Sequence, residues 1–115
     1  MSSIIVLAAS IHQPYNRREL TQAFSYIVEF RGGTYCTQVE SKNLKDSLQL
    51  WLERINEQKK EIKFLGDGTL KEIATIIEDE DYKPVMLQGL KNIWFMHVPT
   101  TKGSLHVNIV KTDVS

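Results

Sequence analysis

His97 and His106 are the residues best suited to chemistry in this chain, because Ile93–Val98 and Ser104–Val110 around them read as two strands of a hairpin. A connection through Pro99-Thr100-Thr101-Lys102-Gly103 sets Val98 against Leu105, Met96 against Val107 and Trp94 against Ile109. The two imidazoles then stand opposite each other on the other side of the ribbon, in a position to share a metal ion. A structural zinc site takes four protein ligands and a catalytic one at least three. The whole chain has 3 histidines and 1 cysteine, and neither His12 nor Cys36 has the spacing of a metal motif. The pair therefore reads as two surface histidines, and neither a metal nor a cofactor is expected.

Covalent chemistry would rest on Cys36, with Glu29 to orient a histidine base. A cysteine in the middle of a strand is poorly placed to attack a substrate, and no activating neighbour is evident in the sequence. The acidic run Glu78-Asp79-Glu80-Asp81 lacks the alternation and the glycine of a calcium loop. Gly32-Gly33 sits between two strands rather than ahead of a helix, and Gly66-Asp67-Gly68-Thr69 has neither the length nor the lysine of a P-loop. No catalytic residue is assigned on these patterns. A small enzyme or metal-binding protein using His97, His106 and Cys36 stands as the alternative to a non-enzymatic one.

The elements that would carry these residues begin with a second, earlier hairpin. Phe24, Tyr26, Val28 and Phe30 alternate with more polar neighbours, as do Tyr35, Thr37 and Val39 beyond Gly32-Gly33. A two-residue turn at the glycines pairs Phe30 with Tyr35, Val28 with Thr37 and Tyr26 with Val39, and sets Glu29 opposite Cys36. Asn43 then caps a helix whose stripe is Leu44, Leu48, Trp51, Leu52 and Ile55, with Lys45, Gln49, Glu53 and Arg54 on its solvated side. Thr69 and Glu72 make a capping-box pattern for a second helix through Leu70, Ile73, Ala74 and Ile77. The acidic run opposes the negative end of that helix's dipole and ends it. Pro84–Leu87 reads as a short strand ahead of the histidine hairpin.

The expected order is ββααβββ: an α+β two-layer sandwich with a mostly antiparallel sheet of about five strands and both helices on one face. Residues 1–22 form an N-terminal arm or edge strand, broken at Pro14, within a single domain spanning residues 1–115. The apolar stretch Ile4–Ile11 has no preceding Lys or Arg, which reads against a signal peptide, and it is too short to span a bilayer. The single cysteine favours a reducing compartment, hence a cytoplasmic protein.

Fourteen basic and 14 acidic side chains cancel, so the basic excess of a phosphate-binding domain is missing and nucleic acid is not the expected partner. The same balance disfavours an electrostatic membrane patch. Nucleic-acid binding through sheet aromatics such as Phe95 is the weakest alternative. One pattern stays unexplained by the fold alone. The face of the second hairpin opposite the helices carries Ile93, Phe95 and Val110 beside His97, His106 and Asn108, with Ile27 nearby. Contiguous apolar surface of this kind meets a partner or is covered by the chain itself, here through Ile4–Ala9. The expected function is a protein-interaction module that self-associates, as a homodimer for example, or binds another protein through Ile27, Ile93, Phe95, His97, His106 and Val110.

Overall fold

The computed structural model describes residues 3–6 and 21–113. Six strands form one mixed sheet: β1 (Ser3–Val6), β2 (Gln22–Phe30), β3 (Gly33–Ser41), β4 (Val85–Met86), β5 (Ile93–Val98) and β6 (Leu105–Asp113), in the order β1-β3-β2-β6-β5-β4. Two helices, α1 (Leu44–Glu57) and α2 (Asp67–Ile76), cover one face, so the α+β two-layer sandwich holds. Of the N-terminal arm, Ser3–Val6 is an edge strand, and it runs parallel to β3 while the other pairings are antiparallel. The polar connector with His12 and Pro14 lies outside the described residues.

The β5–β6 hairpin has the expected register, with Val98, Met96 and Trp94 opposite Leu105, Val107 and Ile109. In the β2–β3 hairpin the turn falls one residue earlier than the glycine pair. Arg31 (φ 48°) and Gly32 (φ 83°) both take positive φ, as a two-residue turn matched to strand twist requires. Gly33 instead pairs with Phe30, so Val28 faces Tyr35, Tyr26 faces Thr37 and Phe24 faces Val39. The pairing has moved by two residues, and because side chains alternate with a period of two, the inward face survives. Arg31 tolerates its strained backbone with two anchors: its guanidinium donates to the Lys102 carbonyl at 2.7 Å and lies 3.8 Å over the Phe64 ring.

Asn43 caps α1 as expected, its Oδ1 accepting from the Asp46 amide at 2.8 Å. Leu48, Trp51 and Ile55 are buried, while Leu44 and Leu52 pack at the core's margin. Trp51 stacks on Tyr26 with centroids 5.0 Å apart, pinning α1 to the middle of the sheet. Arg54, expected on the solvated side, is buried, and its Nη1 meets no acceptor among the described residues. The capping box at Thr69 does not form. The helix starts earlier, at Gly66 and Asp67, so Thr69 is buried within it and Glu72 is free to bind the Thr101 amide and hydroxyl. Lys59 pairs with Asp67 at the start of α2. The helix ends before the acidic run, as expected, and Asp79 then caps a short turn at Glu80–Tyr82.

The core lies between sheet and helices: Phe24, Tyr26, Val28 and Phe30 of β2, Met96 and Val98 of β5, and Val107 and Ile109 of β6 meet Trp51, Ile55 and Ile73. The opposite sheet face has no layer over it in the described residues.

Candidate interaction face

Alternation along six hydrogen-bonded strands sorts the outward side chains into rows that cross the sheet. The central row is read directly from the pairings. Val6 lies beside Cys36, Cys36 beside Ile27, Ile27 beside Asn108, Asn108 beside Phe95, and Phe95 beside Val85. Every strand thus contributes one residue, and Asn108 alone among the six is strongly polar. One row towards the turns come Ile4, Thr34, Glu29, His106 and His97; one row the other way, Gln38, Ser25, Val110 and Ile93.

The two rims of this face are wide open. Val6 is 74% exposed and Val85 66%, whereas Ile27, Phe95, Ile93 and Val110 are half-buried by their neighbours in the sheet. Ile4 is also exposed, so Ser3–Val6 extends the apolar face at its edge and does not fold over it. The remainder of the expected cover, residues 7–9, lies outside the described residues. Exposed apolar side chains also follow Val85 along the chain at Met86, Leu87 and Leu90, Met86 on the helix side of the sheet where it pairs with Trp94. Sequence patterning missed Ile4, Val6 and Val85–Leu90 as surface. The available signal was the run Pro84–Leu90, seven uncharged positions in a row ending in a turn at Gly89.

All six residues expected on this face do share it. His97 and His106 are cross-strand partners with ring centroids 5.3 Å apart at 81°, and the edge of Phe95 approaches His106 at 6.1 Å. Both imidazoles are exposed. No cluster of three or more metal-ligating side chains exists among the described residues. The constellation of Cys36, Glu29 and a histidine is not assembled either. The shifted register sets Cys36 against Ile27 and Val6, while Glu29 pairs with Thr34 and His106 one row away. An open groove of about 310 Å³ beside His106 is lined by Glu29, Arg31, Thr34 and Ser104. On the helix side, a cavity among Val28, Trp51, Ile55 and Leu65 measures about 10 Å³, room for no more than one water.

The middle of the face carries no formal charge; Glu29 and Glu40 stand towards opposite ends of their strands. Burial raises the titration of Tyr26 in the core, and the hydrogen bond from Lys59 lowers that of Asp67 at the start of α2. No helix among the described residues is long and apolar enough to cross a membrane. Comparison with protein-family models, with curated proteins and with solved structures finds no match.

Proposed function

We propose that this chain is a small non-enzymatic interaction module, folded as one domain over residues 1–115, which binds protein through the sheet face opposite its helices. The observation that carries this is the central row Val6–Cys36–Ile27–Asn108–Phe95–Val85, which crosses all six strands with one strongly polar residue. In a two-layer fold the second face of an antiparallel sheet is ordinarily polar because water covers it. A face built of Ile, Phe and Val gains free energy when water leaves it, at about 25 cal/mol for each Å² removed. Fully desolvated aromatics dominate such contacts, which singles out Phe95 as the anchor. An unpaired Cys36 supports work in a reducing compartment such as the cytoplasm.

Phe95→Glu tests this, since the position is half-buried on the outer face and away from the core. Sedimentation velocity and binding of an apolar-surface dye are measured for both proteins. The wild type either sediments above the 13.2 kDa of one chain or, as a single chain, binds the dye. Either property is lost in Phe95→Glu with the thermal midpoint nearly unchanged. A strict monomer that binds no dye, and is unaltered by the substitution, contradicts the proposal.

A further inference from the structure

We infer that the occupant of this face is a second copy of the same chain, stacked sheet against sheet about a two-fold axis parallel to the strands and between β2 and β6. The inference rests on the interaction face proposed above and adds the identity and the geometry of the partner.

Area is the first support. Strands about 4.8 Å apart with outward side chains about 6.8 Å apart give six strands a plan area of roughly 600 Å². Side-chain relief makes the accessible area larger, close to the ~800 Å² per partner that a stable dimer of ordinary size buries. Shape is the second. A regular pleated face packs best against another, about 10 Å away with strand directions within about 30°.

Charge and symmetry decide between a copy and some other sheet. β2 and β6 are the middle pair of the order β1-β3-β2-β6-β5-β4. A two-fold axis between them exchanges β2 with β6, β3 with β5, and β1 with β4, while keeping each row over itself. In the row of Glu29 and His106, which are cross-strand neighbours, each carboxylate then lies over the imidazole of the other copy. In the central row Ile27 lies over Asn108, Cys36 over Phe95, and Val6 over Val85. Glu29 and His106 flank the axis, where the angle between stacked sheets displaces residues least. The row of Glu29 and His106 is therefore complementary to itself, as an isologous dimer requires.

The test separates contacts between copies from contacts within one. Glu29→Arg replaces the carboxylate that would accept from the imidazole of His106 by another donor, twice across the axis, and His106→Glu sets carboxylate against carboxylate twice. Each variant alone is expected to lose self-affinity by about tenfold or more. Mixing the two variants makes both cross-axis contacts favourable again, and neighbours within each chain are the same before and after mixing. Sedimentation of the mixture, with one variant mass-tagged, is expected to show dimers containing one of each. Circular dichroism melts confirm that both exposed substitutions leave the fold intact. If the wild type dimerises and Phe95→Glu abolishes it, but mixing rescues nothing, the two-fold geometry is wrong and the face stands. If the wild type stays a single chain at every concentration and binds the dye through Phe95, the second copy is wrong and a different protein occupies the face. A dimer indifferent to Phe95→Glu overturns both.

Discussion

At the scale of single residues, Tyr26 shows how the polar groups of the core are arranged. Its hydroxyl lies 2.6 Å from Ser47 Oγ, and Ser47 Oγ donates to the Leu44 carbonyl at 2.7 Å. The phenol is therefore the donor to Ser47. Tyr26→Phe removes that donor and strands nothing, so it should cost about 1 kcal/mol. Ser47→Ala leaves a buried hydroxyl without an acceptor and should cost more, about 1–3 kcal/mol, in urea unfolding. Burial pushes the Tyr26 phenol well above its ordinary range. In the unfolded chain a tyrosine gives up its proton near about pH 10, while the folded protein keeps it. The folded state thus binds more protons there, and this contribution to stability is fully present below about pH 10 and declines as pH rises further. Unfolding midpoints measured upward from that pH should fall more steeply in the wild type than in Tyr26→Phe; parallel declines would show that the phenol is not so confined.

At the scale of elements, two glycines separate backbone demands from space. A Cβ at Gly32 would meet nothing within 4 Å, yet its φ is +83°. Gly32→Ala should cost about 1–2 kcal/mol through conformation alone. Gly68 lies inside α2 with equally open space and no positive φ, so Gly68→Ala should stabilise by about 0.5–1 kcal/mol. Equal effects in urea unfolding at the two sites would contradict this distinction. The same turn explains where sequence patterning slipped. Two adjacent glycines marked a turn without saying which residues occupy it, and Arg31 takes the left-handed position because Lys102 and Phe64, remote in sequence, hold it. Alternation did establish which side chains face inward, since a shift by two leaves them there. The capping pattern at Thr69 was misleading for a related reason: Glu72 has a better use in binding Thr101 across the fold. Asn43 was legible because its cap is wholly local.

At the scale of the whole molecule, the outward face of the second hairpin was legible from strand period and a correct register. Its extent was not. The parallel docking of β1 beside β3 and the placing of β4 beyond β5 are contacts between distant segments, and they carry the apolar row to both rims. Arg54 is the converse case, a residue that helical periodicity assigns to solvent and the packed structure buries. The histidine pair was placed correctly, yet two imidazoles on an open sheet supply half the ligands of a structural zinc site. What distinguishes the molecule is a sheet with one face covered by helices and the other crossed from edge to edge by one largely apolar row. Methyl NMR spectra across a dilution series test this most directly, because isoleucines lie on both sides of the sheet. The methyl resonances of Ile27 and Ile93 should move with concentration, while those of the buried Ile73 and Ile109 stay fixed. Concentration-dependent shifts at Ile73 and Ile109 with none at Ile27 and Ile93 would mean that the molecule associates elsewhere.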